Sequence, residues 1–247
     1  MTSLRQQIRD RAPLRGPFLA LPSVAASEIM LGAAPDFVCI DTEHSPISDE
    51  MMTNMIRAAD LAAIPALVRV RSAHGPHIAA ALDAGACGIL VPHVSTAETA
   101  RAVVGAARFA PEGHRGAGPG RAAGYVRAIP AYLARARTDT VVAVQLETLE
   151  AVRNAADILA VPGIDLAFIG PGDLGIDLVA QGSEMSLEQA IDAMIAAADA
   201  AQTPAGIFTP DRSQSAHWLT RLSFVIEGSD AQLLTRASDA AFARLGT

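Results

Sequence analysis

Eight short runs of apolar, largely β-branched residues recur along the chain, and most are followed by a stretch whose apolar positions fall three and four apart. The runs are Phe18–Leu21, Phe37–Asp41, Ala66–Val70, Gly88–Val91, Val141–Glu147, Leu166–Asp173, Pro204–Phe208 and Leu222–Ile226. Nearly continuous apolar character is what a strand shows when both faces of a parallel sheet are covered. The intervening periodicity predicts helices near Ala25–Gly32, Ser48–Ala62, Pro76–Ala84, Leu149–Leu159, Leu187–Ala201, Asp211–Leu219 and Ala231–Leu245. Ser48 is placed to cap its helix, and Ser95 to cap another reaching Arg108. Strand-then-helix repeated eight times, closed by right-handed crossovers, predicts a (β/α)8 TIM barrel. An open doubly wound sheet would want a glycine-rich turn after its first strand, and Leu21-Pro22-Ser23-Val24 is not one. Two segments interrupt the rhythm. Phe109–Asp139 carries a Gly/Arg-rich loop over Gly113–Arg121 and a short helix near Pro130–Ala136, and reads as a flap or subunit contact. A second long loop is expected after Asp173.

Composition narrows the class. With 247 residues, 51% hydrophobic and 18% charged, the chain can bury one large core, so residues 1–247 read as a single domain. A net charge of -7 with scattered arginines argues against a nucleic-acid partner. The polar start and the lack of any run of about 18 apolar residues predict no membrane association and a cytoplasmic protein. Cys39 and Cys87 lie in apolar runs, as small buried hydrophobes do in a reducing compartment. The sequence has no lysine, so every basic residue is arginine. That excludes a Schiff-base lysine, a lysine-anchored pyridoxal phosphate (PLP) and a Walker A nucleotide site. Carbanion chemistry must then be carried by a metal, arginine or backbone dipoles.

In a barrel, every polar residue at a C-terminal strand end faces one mouth. Those residues are Asp41, Glu43 and His44, then Arg69, His93, Gln145 with Glu147, and Asp173. Glu147 alone could complement a helix N-terminus, and Asp173 alone could cap a turn. Together, at the tips of consecutive strands, they favour a hard-cation site. Arg69 either pairs with one of those acids or binds a substrate oxyanion with its planar fork. His44 can serve as a general base or simply be solvated. By spacing, Asp83 is a surface charge, and His74, His77, His114 and His217 pair with no strand end.

Asp41-Thr42-Glu43-His44-Ser45-Pro46, Val91-Pro92-His93-Val94, Arg115-Gly116 with its Gly/Arg loop, Gln145-Leu146-Glu147-Thr148 and Phe168-Ile169-Gly170-Pro171-Gly172-Asp173-Leu174 resemble the motifs of the HpcH/HpaI-type class II pyruvate aldolases. The resemblance runs from about Phe18 to Arg236. It implies a barrel that uses a divalent ion, Mg, Mn or Co, to cleave 4-hydroxy-2-oxo acids reversibly into pyruvate and an aldehyde. It further implies Glu147 and Asp173 as metal ligands, His44 as proton acceptor, Arg69 as transition-state stabiliser and Asp83 as the group that raises the basicity of His44. Gln145, Gly172 and Asp173 fall at substrate contacts. Phe18 stands where several relatives have a tryptophan beside the aldehyde, and Thr42 where the usual residue is glycine. Relatives assemble as hexamers, or trimers of dimers, by exchanging a C-terminal helix. The apolar face of Leu233, Leu234, Ala237, Ala240, Ala241 and Leu245 fits that mode. Two other readings are a CoA-thioester lyase like the citrate-lyase β subunit, its nucleotide phosphate held by the arginines of 115–121, and a non-catalytic barrel that binds oxo acids.

Overall fold

The computed structural model describes residues 2–243. Eight parallel strands close in sequence order into a barrel: β1 (Leu14–Leu19), β2 (Val38–Asp41), β3 (Ala66–Arg69), β4 (Gly88–Val91), β5 (Val141–Leu146), β6 (Leu166–Ile169), β7 (Ala205–Thr209) and β8 (Phe224–Ser229), with β8 returning to β1. The predicted (β/α)8 fold is the observed one.

The helices are α1 (Leu4–Arg9), α2 (Val24–Leu31), α3 (Asp49–Leu61), α4 (Gly75–Ala84), α5 (Ala97–Ala107), α6 (Ile129–Asp139), α7 (Leu149–Arg153), α8 (Ala155–Leu159), α9 (Pro171–Ala180), α10 (Leu187–Ala200), α11 (Arg212–Trp218) and α12 (Asp230–Ala241). Ser48 caps α3, its hydroxyl accepting from Met51 N at 3.2 Å. The predicted cap of α5 is corrected: Thr96, not Ser95, accepts from Thr99 N, because the Ser95 hydroxyl is taken by Thr148 Oγ1 at 2.8 Å. The single helix expected over Leu149–Leu159 is two, parted at Asn154, whose side chain donates to Ser95 O. Leu245, in the face proposed for exchange, lies outside the described residues.

Side-chain alternation along the strands sorts the interior into two apolar layers. Cys39, Leu67, Leu90, Ala143, Phe168 and Ile226 fill the barrel, while Ile40, Val68, Val91, Val144, Ile169 and Val225 face the surrounding helices. Leu4 and Ile8 of α1 close the N-terminal end of the inner layer. Continuing the inner phase by two residues carries Asp41, Arg69 and Gln145 into the lumen at the opposite end, and Glu147 follows Gln145 by two more. The alternation that packs the core therefore aims polar residues at the mouth.

The N-terminal end holds its own ionic cluster. Asp165 Oδ1 accepts from Arg5 Nε at 2.7 Å and Arg9 Nη2 at 3.3 Å, and Oδ2 from Arg108 Nη2 at 2.7 Å and Val142 N at 3.0 Å. Burial and the Arg5 guanidinium pull Arg108 below its ordinary pKa against the attraction of Asp165. These bonds fasten α1 and the end of α5 to the base of β6.

Candidate active site

At the mouth, Asp41 and Arg69 are lateral neighbours in the β2–β3 register, so their inward side chains meet. Arg69 donates from Nε and Nη2 to the two oxygens of Asp41 at 2.9 and 2.8 Å, a buried bidentate pair. Arg69 thus pairs with Asp41, rather than with Glu147 or Asp173 as the sequence suggested. Burial alone would raise the Asp41 pKa. The hydrogen bonds and charge of Arg69, with the His44 and Glu43 amides, outweigh it and hold the carboxyl below its ordinary range. The Phe18 ring covers the guanidinium at 4.3 Å.

Glu43, Glu147 and His93 form the second group. His93 Nδ1 lies 3.1 Å from Glu147 Oε1, and its Nε2 lies 3.2 Å from Glu43 Oε1. Glu43 Oε2 is 3.3 Å from Arg69 Nε and 3.6 Å from His44 Nε2. Burial raises the Glu43 carboxyl above its ordinary pKa, with the Glu147 charge adding to the shift and Arg69 opposing it. His93 has φ +54, a left-handed conformation that costs a non-glycine residue roughly 1–2 kcal/mol. It is retained because the His93 amide then donates to Glu147 Oε1 at 2.8 Å while the Val94 amide reaches Gln145 O.

Glu147 is buried, and its Oε2 accepts from Gln145 Nε2. A Cβ at Gly170 would stand 2.7 Å from that oxygen, so the β6 tip must be glycine for Glu147 to keep its place. Pro171 then starts α9, and Asp173 sits exposed in the first turn of that helix. The loop expected after Asp173 is corrected to this helix. Pro at its start, an acid in its first turn and Leu174 with Leu178 buried four apart suffice to form it despite Gly172 and Gly175.

Phe18, Asp41, His44, Arg69, Gln145, Gly172 and Asp173 line one cavity of about 310 Å³ at the mouth. Glu147 stands behind it through Gln145. Asp83 is elsewhere: it lies at the end of α4 that feeds the start of β4, where Arg115 holds it at 2.5 Å. Within one chain it makes no ion pair with His44. Arg115 is itself buried between Phe109 and Tyr132, and Arg121 is held by Asp60 and Ala84 O.

A metal fits the second group. Glu43, His93 and Glu147 each offer a ligand atom, all within 4.8 Å of one another. Glu43 Oε2 and Gln145 Oε1 are buried without hydrogen-bond partners, polar capacity that the chain leaves unused. From sequence, Glu43 and His93 had no assigned role. Glu43 was detectable as the next inward position after Asp41, whereas His93 is out of phase with β4 and only its left-handed backbone turns it to the acids.

A parallel barrel whose mouth gathers acids, two histidines and one held arginine defines a lyase-type (β/α)8 protein. The model of the HpcH/HpaI aldolase/citrate lyase family matches residues 15–237, and the chain belongs to that family. It is 35% identical over 254 aligned positions to a 4-hydroxy-2-oxo-heptane-1,7-dioate aldolase of Shigella sonnei, covering 99% of this chain and 95% of that protein. Among solved structures it resembles an HpcH/HpaI aldolase/citrate lyase family protein of Burkholderia cenocepacia, with 33% identity, TM-score 0.89 and 96% of each chain covered. It also resembles the citrate synthase SbnG, with 28% identity and TM-score 0.87 over 98% of this chain and 96% of that one.

Proposed function

We propose that this protein is a metal-dependent pyruvate aldolase that cleaves a 4-hydroxy-2-oxo acid between C3 and C4, giving pyruvate or a close analogue and an aldehyde. The observation that carries the reading is the Glu43–His93–Glu147 group beside an arginine fixed by Asp41, in a chain without lysine. Glu147 and Asp173 are the proposed ligands of a divalent ion, Mg, Mn or Co; Glu43 and His93 cluster with Glu147, while Asp173 stands on the exposed first turn of α9. Such an ion, when bound, could be chelated by the 2-oxo acid and would supply the Lewis acidity that stabilises enolate charge.

The protein's own groups do the rest. Arg69, its Nε and Nη2 committed to Asp41 and one face under Phe18, turns its remaining N–H donors to the keto oxygen as charge develops there. His44 Nε2 takes the C4 hydroxyl proton; the C4–O bond becomes the aldehyde carbonyl, the C3–C4 pair passes to the enolate, and C3 then takes a proton from water to give pyruvate while His44 releases its proton to solvent. Glu43 Oε2 stands 3.6 Å from His44 Nε2. In the reverse direction His44 returns the proton. The Gly172 and Asp173 amides, at the open N-terminus of α9, suit the substrate carboxylate, and Gln145 orients Glu147.

Asp83 can raise the basicity of His44 only if a neighbouring subunit brings it to this mouth. Assembly as a hexamer or trimer of dimers is therefore part of the proposal, supported by exposed Leu233 and Leu234 on α12. A monomer by light scattering would remove both. Two free thiols and no membrane-length apolar helix among the described residues support a cytoplasmic setting. The nucleotide-ester alternative is weakened, since Arg115 is buried with its Nη2 on Asp83 and Arg121 is paired with Asp60.

The test is pyruvate release, coupled to lactate dehydrogenase, from a panel of 4-hydroxy-2-oxo acids with chelator and after restoring Mn or Mg. Cleavage abolished by chelator and restored by metal is expected. Turnover unaffected by chelator, or confined to CoA esters, rejects the reading.

A further inference from the structure

We propose that the aldehyde half of the substrate is uncharged at its far end, so that this protein acts on 4-hydroxy-2-oxo monoacids in preference to the dioate in its relatives' name. The inference rests on the aldolase reading and adds the substrate class.

Strand order places the two halves of the substrate. The acids and His93 come from the ends of β2, β4 and β5, and the pyruvyl end belongs with them. The other side of the mouth is formed by β7, β8 and β1, the last of which borders β2, and the chain beyond C4 runs toward them. That wall is Phe18, Ala20, Phe208, Ser229 and Gln232. Phe18 and Phe208 stand with ring centroids 6.0 Å apart, an apolar surface of a kind that takes an alkyl chain.

Among the described residues of one chain, that wall holds no cation for a second carboxylate. Among the described residues lining the cavity, Arg69 is the only arginine, and its Nε and Nη2 go to Asp41 at 2.9 and 2.8 Å. Phe18 covers its face, and the enolate oxygen takes what remains. Arg236, on α12 beside this wall, donates Nη2 to Pro210 O at 2.7 Å. The overall balance has the same sign. Asp41, Glu43, Glu147 and Asp173 bring four negative charges to the mouth, while Arg69 and a divalent ion bring three positive ones, and the substrate's first carboxylate adds a further negative charge. A terminal carboxylate would enter an already anionic site and lose its water with only neutral donors, and no cation, to replace it. Ser229 and Gln232 at the rim offer neutral hydrogen bonds, which suit a hydroxyl or plain alkyl terminus.

The experiment uses the Mn-loaded protein and two ligands that lack the 4-hydroxyl and cannot be cleaved. Calorimetric titration compares 2-oxoheptanoate with 2-oxoheptanedioate, identical but for the terminal carboxylate. The monoacid is expected to bind roughly 10–100-fold tighter. In aldol addition to pyruvate, butanal should exceed succinic semialdehyde in kcat/KM by a similar factor. Equal or tighter binding of the dioate overturns the inference and leaves the aldolase reading standing. Binding of neither oxo acid overturns the aldolase reading itself. Gln232→Arg supplies the missing cation away from the acids. It should shift the ratio of kcat/KM for succinic semialdehyde to that for butanal about tenfold toward the semialdehyde. An unchanged ratio would show that the far end does not lie on the Phe18–Phe208 wall, and the assignment would fall.

Discussion

The barrel carries a buried ionic cluster at each end, and the two are built on opposite terms. At the N-terminal end three arginines surround Asp165, and each of its oxygens accepts two donors. At the mouth four carboxylates gather near one arginine, Arg69, which pairs with Asp41 and Glu43, and Glu43 Oε2 and Gln145 Oε1 accept no hydrogen bond. The first cluster is complete within the chain and holds elements together. The second is complete only with something added, so its acids oppose one another until a cation and an oxo acid arrive. Buried acceptor oxygens left without a donor, more than charge density, separate the site from the scaffold.

The contrast can be broken from either end. The largest effect is expected from Glu147→Ala, which should lower kcat/KM for pyruvate release about 10³-fold or more, through weakened metal binding. Its thermal midpoint should hold or rise, because a buried like charge is removed. A fall in both activity and midpoint would make Glu147 part of the scaffold. His44→Ala should cost about 10²–10⁴-fold in kcat while pyruvate affinity, read by titration, stays within about twofold. Equal loss of both would reassign His44 to binding.

Asp165→Ala should behave in the reverse way. Three guanidiniums left without a counter-ion predict a loss of about 3–5 kcal/mol in denaturant unfolding, with activity per folded molecule retained. Asp41 gives the smallest and sharpest test. Its folded pKa is depressed, so the stability it supplies is whole above the ordinary aspartate range and drains away as pH falls through the lowered value. Acid unfolding followed by circular dichroism should therefore be less steep in Asp41→Asn. An unchanged acid limb would mean that the Arg69 pair contributes nothing to folding.

The barrel was legible because strands covered on both faces leave almost unbroken apolar runs. It was least legible where local chemistry runs against the element. β1 begins at Leu14, ahead of the predicted Phe18, because Arg15-Gly16-Pro17 looks like a breaker; the strand absorbs Pro17 at a register shift between Gly16 and Phe18. α9 was hidden by its two glycines. The inward-facing acids, Arg69 and Gln145 could be read from strand ends, since that needs only the phase of side chains. Which acid meets Arg69 depends on lateral register between strands far apart in sequence, and periodicity carries no such information. The same holds for His93, whose turn toward Glu43 and Glu147 is a matter of backbone conformation at one residue, and for Asp83, whose place at the opposite end follows from where α4 stops.

The fastening of α1 has a consequence for how the chain reaches this state. Arg5 meets Asp165 across 160 positions of sequence, and its other partners, the Arg137 and Thr138 carbonyls, are nearly as remote. During synthesis at about 5–20 residues per second, the first helix would wait roughly 10–30 s for the partner that anchors it. Through that interval Leu4 and Ile8 have no inner layer to plug. The barrel floor is therefore among the last parts to be sealed, and weakening Asp165 should leave nascent chains open to proteases and chaperones for longer.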